Sequence, residues 1–201
     1  MKIKLMAVTD NQHSMENLMS IILKIHEYVD YIQIREKSRT ANEVYTLGKR
    51  LIDEGVAKEK LIINDRIDVA TLLNIKNVHL PGNGLPVEQV KKLNSQYFAG
   101  VSVHSQEEAQ IAQKNKADYV LYGHCFQTNS KKGKPPIELQ SIKKIKKQLS
   151  IPIFVIGGIT EDRVEQLADL GADGVAIMSA IFSSSNPLES VKKLNERCWR
   201  L

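Results

Sequence analysis

Residues 151–182, IPIFVIGGITEDRVEQLADLGADGVAIMSAIF, hold one complete unit of the fold and begin the next. IPIFVIGG (151–158) is an apolar, β-branched run of strand length that ends in two glycines. EDRVEQLADLG then spaces its apolar residues for one helical face, with Thr160 as the expected cap and Gly171 as the expected stop. DGVAIMS (173–179) is a second strand-like run. Strand, helix and strand within about 30 residues form a parallel crossover unit.

The same alternation runs outward along the chain. Strands are expected at IKLMAV (3–8), YIQIR (31–35), KLIIN (60–64), NVHL (77–80), AGVSV (99–103) and DYVLYG (118–123), which with the two above makes eight. Segments with helical spacing lie between them, several opened by a capping residue (Ser14, Thr40, Ser105, Thr160), with Gly55 and Gly171 as stops. Eight units in 201 residues are about 25 residues each, the compact end for a (β/α)8 TIM barrel. An open doubly wound sheet is the competing α/β arrangement. It wants a glycine-rich turn after the first strand, and MAVTDNQH contains no glycine. No linker or second composition zone appears, so residues 1–201 are expected to form one domain.

Composition narrows the function. A hydrophobic share of 42% supplies one full core, and two cysteines, Cys125 and Cys198, cannot make a disulfide scaffold, so a reducing, cytoplasmic setting is expected. No run approaches a membrane span, and MKIKLMAVTD lacks the features of a secretory leader. Lys and Arg exceed Asp and Glu by 28 to 23, but the lysines are dispersed. The one dense run, KKIKK (143–147), suits a solvated helix face, so no nucleic-acid partner is expected.

In a barrel the site is built from residues that follow the strands. Here these are Gln33, Arg35, Glu36 and Lys37 after strand 2, Asn64, Asp65 and Arg66 after strand 3, and His79 with PGNG at strand 4. Ser102 and His104 follow at strand 5, His124 and Cys125 with the loop QTNSKKGKPP at strand 6, Gly157 and Gly158 at strand 7, and Ser179 at strand 8. The glycine turn and the strand-8 turn together predict a phosphate cradle, because glycine lets backbone approach a ligand and helix amino ends favour anions. Lys131 is a candidate counter-charge. His124 at a strand mouth has the chemistry to take and return a proton. Neighbouring residues on extended chain point to opposite sides, so Cys125 is expected to face away from the site. His13 and His26 are expected to be surface or packing residues, and no metal-binding Cys or His spacing is present.

The segments IQIREK (32–37), LIINDR (61–66), VHLP (78–81), GVSVHS (100–105), ADYVLYGHCFQTNSKKG (117–133), IPIFVIGGI (151–159) and GADGVAIMSAIF (171–182) resemble the thiamine-phosphate synthase and TenI superfamily over essentially the whole chain. The resemblance implies a (β/α)8 barrel that handles a thiazole phosphate, commonly as a homodimer. It places Thr128, Ser130, Lys131, Gly158, Met178 and Ser179 at thiazole phosphate, and Gln33, Arg35, Lys37 and Asn64 where synthases hold a pyrimidine diphosphate. Two departures set the expectation within the superfamily. No carboxylate follows His79 in Leu80, Pro81, Gly82, Asn83 and Gly84, where synthases carry a magnesium-binding acid, and His124 replaces a usual proline. Both point to a metal-independent thiazole tautomerase of the TenI type without a cofactor, His124 being its acid and base. A magnesium-dependent synthase and a non-catalytic thiazole-phosphate-binding regulator are the alternatives.

Overall fold

The computed structural model describes residues 3–128 and 135–199. Eight parallel strands, β1 (Lys4–Val8), β2 (Tyr31–Ile34), β3 (Leu61–Asn64), β4 (Asn77–Leu80), β5 (Phe98–Val103), β6 (Tyr119–Gly123), β7 (Ile153–Ile156) and β8 (Gly174–Ile177), close in sequence order, with β8 pairing back onto β1. The closed sheet excludes the open doubly wound alternative. Every expected strand is present. The expected runs overshoot at their ends, since Gly157, Gly158, Met178 and Ser179 lie beyond the strands in the turns.

Nine helices surround the barrel among the described residues: α1 (Met15–Ile25), α2 (Ala41–Asp53), α3 (Ile67–Leu73), α4 (Val87–Leu93), α5 (Gln106–Lys114), α6 (Gln140–Lys146), α7 (Val164–Asp169), α8 (Ser179–Phe182) and α9 (Pro187–Trp199). Ser14, Thr40 and Ser105 cap α1, α2 and α5 through their hydroxyls, and Thr40 forms a full capping box with Glu43. Thr160 does not act as a helix cap, because the chain passes first through a 3-10 turn, Glu161–Arg163, and its side chain makes no capping bond there. Gly55 and Gly171 both take φ of +93°, the left-handed stop expected of them. None of these helices is long and apolar enough to cross a membrane.

Successive strand residues alternate between two apolar layers. Val120 and Tyr122 of β6 pack outward among the helices with Leu47, Ile142 and Val191, while Tyr119 and Leu121 fill the barrel with Met6, Val8, Ile62, Phe154 and Ala176. Glycines make room for the aromatic rings inside. A Cβ on Gly174 would lie 2.4 Å from Phe154, and one on Gly100 would lie 1.9 Å from Tyr119.

The amino-terminal face carries one device three times. The aspartate at the foot of an even strand accepts the backbone N–H at the start of the preceding strand and pairs with a lysine. Asp30 takes Leu5 N–H and Lys4, Asp118 takes Ala99 N–H and Lys91, and Asp173 takes Ile153 N–H and Lys146, all within 2.6–2.9 Å. Each satisfies a strand-end donor that the ladder leaves open. This face is closed off by structure, and the opposite face is left for the site.

Candidate active site

The carboxyl ends of the strands surround a cavity of about 390 Å³. Its wall on one side is built by β2 and β3. Gln33, Arg35 and Lys37 project into it at alternate positions, joined by Asn64. Two neighbours position this segment. Thr9, fully buried at the end of β1, accepts the Arg35 N–H at 2.8 Å, and Asn11 accepts both the N–H and the hydroxyl of Ser38. Glu36 points the other way, into a buried ion pair with Arg39 at 3.0 Å. Burial pulls the Arg35 guanidinium below its usual value, with Glu36 opposing. It remains a cation throughout the physiological range.

The opposite wall comes from the β6, β7 and β8 ends: His124, Thr128, Ile156, Gly157, Gly158, Met178 and Ser179. The loop after β6 is zipped onto the end of β7 by Cys125 N–H to Ile156 O at 2.8 Å and Phe126 N–H to Gly157 O at 3.0 Å. This packing, together with φ of +109° and +64°, requires the two glycines. A Cβ on Gly157 would lie 2.4 Å from His124 Cβ, and one on Gly158 would lie 2.8 Å from Gln127 O. Arg163 fastens the turn from outside. It donates to the Gly158 carbonyl and lies over the Phe126 ring at 4.2 Å.

Among the described residues, the cavity thus unites every expected site residue: His124, Thr128, Gly157, Gly158, Met178 and Ser179 on one wall, Gln33, Arg35, Lys37 and Asn64 across from them, and Ser102 on β5 between the two. Ser130 and Lys131 lie outside the described residues. Cys125 is buried in the outer layer, facing away from the cavity as expected, and burial pushes its thiol up to about 12. His13 packs near Phe182, its Nε2 2.9 Å from that residue's carbonyl. Arg66 pairs with Asp68 at the start of α3.

Sequence reasoning missed Asp10 and understated His79. Asp10 lines the cavity just beyond β1 with its side chain only 6% exposed, accepting the Gln12 N–H at 3.1 Å. The strand-end rule applied to β1 finds it. His79 lines the floor and is fully buried, its Nδ1 3.1 Å from the Tyr119 hydroxyl and its Nε2 2.8 Å from Ser102 Oγ. Burial first, and Arg35 second, pull its pKa down to about 3, so it is neutral at physiological pH.

The comparisons with known proteins agree with this architecture. The family model for thiamine monophosphate synthase matches residues 5–181. Thiamine-phosphate synthase of Clostridium tetani is 38% identical over 170 residues, covering 82% of this chain and 78% of that one. That of Pyrococcus abyssi is 33% identical over 198 residues, covering 97% and 94%. The solved structure of thiamine phosphate pyrophosphorylase from Pyrococcus furiosus superposes with a TM-score of 0.85 at 28% identity, covering 98% of this chain and 96% of that one. These relatives overturn the expected isomerase. They carry the name of the synthase, and the presence of His124 at the strand-6 mouth does not outweigh similarity along the whole chain. With its barrel, its two-walled cleft and a match from residue 5 to residue 181, the chain belongs to the thiamine monophosphate synthase family.

Proposed function

We propose that the protein is a thiamine-phosphate synthase, joining a pyrimidine diphosphate to a thiazole phosphate with release of pyrophosphate. The observation that carries this reading is the two-walled cavity. Arg35 and Lys37, with Gln33 and Asn64, stand across one cleft from the Gly157–Gly158 turn and Ser179. One small monophosphate engages one wall, whereas a diphosphate and a monophosphate together use both.

In this reading the carbon–oxygen bond between the pyrimidine methylene and the diphosphate breaks, and the diphosphate leaves with the electron pair. The thiazole nitrogen forms the new bond to that carbon. Arg35 and Lys37 hold the charge that accumulates on the leaving group, and the low dielectric around the buried guanidinium strengthens the effect. The Gly157–Gly158 turn, Thr128 and Ser179 hold the thiazole phosphate, and His124 borders that half of the cleft. Bound substrates exclude water from the reacting carbon, which favours the thiazole nitrogen over hydrolysis.

Relatives of the synthase type imply Mg²⁺, and the side chains present fit only a thin site. The described residues contain no group of three or more His, Cys, Asp or Glu that would cage a metal. Asp65 is the one carboxylate of its turn, and a Cβ on Gly84 would lie 3.1 Å from its Oδ1, so position 84 faces Asp65 without contributing a donor. Mg²⁺ commonly uses one or two carboxylates and completes its shell with substrate phosphates and water; Asp65, which follows the cleft residue Asn64 without itself lining the cleft, would supply at most one such ligand. Bound there, the ion would neutralise diphosphate charge and improve the leaving group.

The test supplies both substrates with Mg²⁺ and measures pyrophosphate and thiamine phosphate together. Equal amounts of both products, dependent on both substrates, are expected. Absence of pyrophosphate release with saturating substrates overturns the assignment.

A further inference from the structure

The floor of the cleft contains a hydrogen-bonded chain that the reaction as described does not use. Gly100 on β5 is in register with His79 on β4 and with Tyr119 on β6. Because residue 100 has no side chain, the Tyr119 ring extends across β5, and its hydroxyl reaches His79 Nδ1 at 3.1 Å. On the far side of the imidazole, Nε2 lies 2.8 Å from Ser102 Oγ, and both His79 and Ser102 line the cleft. Tyr119 is stacked on Phe98 at 5.3 Å and set edge-on to Phe154 at 5.4 Å, so its ring is fixed.

Hydrogen-bond polarity along this chain follows from what the buried groups can satisfy. Tyr119 is fully buried among apolar rings, and His79 Nδ1 is the side-chain partner its hydroxyl has among the described residues. A buried phenolic O–H without an acceptor costs about 1–3 kcal/mol. The hydroxyl therefore donates to Nδ1. A neutral imidazole that accepts at Nδ1 carries its proton on Nε2, and that N–H donates to Ser102 Oγ. The Ser102 hydrogen is then left to point elsewhere, and the open side is the cleft.

We infer that His79 is a positioning residue, locked by Tyr119 as the Nε2–H tautomer, which turns the Ser102 hydroxyl into a hydrogen-bond donor aimed at an acceptor on the substrate. Ser102 stands on β5, between β4 and β6, so its hydroxyl rises from the floor between the two walls of the cleft. Resting on the synthase reading, the acceptor is a nitrogen or oxygen of whichever substrate reaches this part of the floor. The same hydroxyl discriminates against analogues that place a donor there, since two opposed hydrogens cannot bond.

Two measurements test this separately from the overall reaction. Nitrogen-15 NMR of the ligand-free protein with labelled histidine, assigned by loss of signal in His79→Gln, is expected to show a protonated, pyrrole-type Nε2 and an unprotonated, pyridine-type Nδ1. A protonated Nδ1, or a ring protonated on both nitrogens, overturns the inference whether or not the protein turns over substrate. In the second, Tyr119→Phe is assayed with both substrates. It is expected to raise KM about fivefold, the equivalent of about 1 kcal/mol, for the one substrate whose acceptor meets Ser102, while KM for the other stays within about twofold. Equal rises for both substrates indicate general loosening of the barrel and overturn the positioning role. Where wild type makes no thiamine phosphate, the synthase reading fails and the NMR result alone decides the tautomer.

Discussion

Tyr119 and Gly100 occupy one register position of adjacent strands, and the ring of the first fills the space that a side chain on the second would take. A Cβ at residue 100 would come within 1.9 Å of Tyr119 Cζ and within 2.3 Å of both ring carbons beside it. The ring cannot swing aside, because Phe98 and Phe154 hold it. Gly100→Ala is expected to lower stability by about 3 kcal/mol, the upper part of the usual range for overpacking. Denaturant unfolding measures it, and the double variant Gly100→Ala with Tyr119→Leu should recover part of the loss through coupling between the two sites. A neutral Gly100→Ala would mean that the barrel interior has slack which this packing excludes.

The lysine–aspartate pairs at the opposite end of the barrel separate two contributions. Asp173 pairs with a Lys146 that is about one-third exposed, and its Oδ2 accepts the Ile153 N–H at 2.8 Å. The ion pair itself is partly screened by water and contributes little. The backbone contact is the larger part. Asp173→Asn, which keeps an acceptor, is expected to cost no more than about 0.5 kcal/mol, and Asp173→Ala about 1–2 kcal/mol. Equal losses in thermal or denaturant unfolding would transfer the weight to the charge.

His79 gives the fold a sensitivity to acid. In the unfolded chain its imidazole binds a proton near pH 6.5, and in the folded protein only near 3, because burial and Arg35 disfavour the charged form. The unfolded state therefore binds more protons between these values. The stabilising contribution is complete above about pH 6.5 and is lost as pH falls towards 3. At pH 4.5 wild type should have lost about 2–3 kcal/mol through this one residue. His79→Gln cannot take up the proton, so the stability gap between variant and wild type should narrow on going from pH 7.5 to pH 4.5. A gap independent of pH would show that His79 has an ordinary affinity for protons in the fold.

The barrel was legible in the sequence because β-branched runs and capping residues are local signals. Each strand announces itself in four to six residues, and Ser14, Thr40 and Ser105 mark helix starts within three residues of the bonds they accept. The strand-end rule then located most of the cleft without any knowledge of contacts. What it did not reveal depends on distance along the chain. His79 meets Tyr119 across 40 residues and Ser102 across 23, and only closure of the barrel brings them together. The assignment of chemistry failed for a different reason. His124 attracts attention as an isolated acid–base group, and it was weighed above Arg35 and Lys37, whose match to the synthase pattern was already legible in the sequence; the structure adds that they share one cleft with the Gly157–Gly158 turn.

Arg163 offers a test of the substrate proposed for each wall of the cleft. It touches the Gly158 carbonyl and the Phe126 ring, both on the β6–β7 side. Arg163→Ala should loosen the glycine turn and raise KM for thiazole phosphate about fivefold, with the pyrimidine diphosphate little affected. Arg163→Lys keeps the charge but not the planar stacking on Phe126, so only partial recovery is expected. A selective rise for the pyrimidine substrate would reverse the assignment of the two walls.

Arg35 tests the leaving-group wall directly, and Thr9 tests how that wall is held. On the synthase reading Arg35→Ala takes a partly buried cation away from the diphosphate and is expected to lower kcat/KM by about 10- to 100-fold, the range of about 1.5–3 kcal/mol for a bond to a charged group. Arg35→Lys restores the charge without the bidentate fork and should recover only part of this. Thr9→Val leaves every side chain of the wall in place but deprives the Arg35 N–H of its acceptor at 2.8 Å. Its isosteric side chain keeps the packing, so about a fivefold fall in kcat/KM is expected, together with about 1 kcal/mol of stability. If Arg35 acts through geometry as well as charge, the Thr9→Val loss should largely vanish in the Arg35→Ala background, since a wall without its guanidinium has nothing left to misplace. Full additivity of the two losses would assign Thr9 to stability alone.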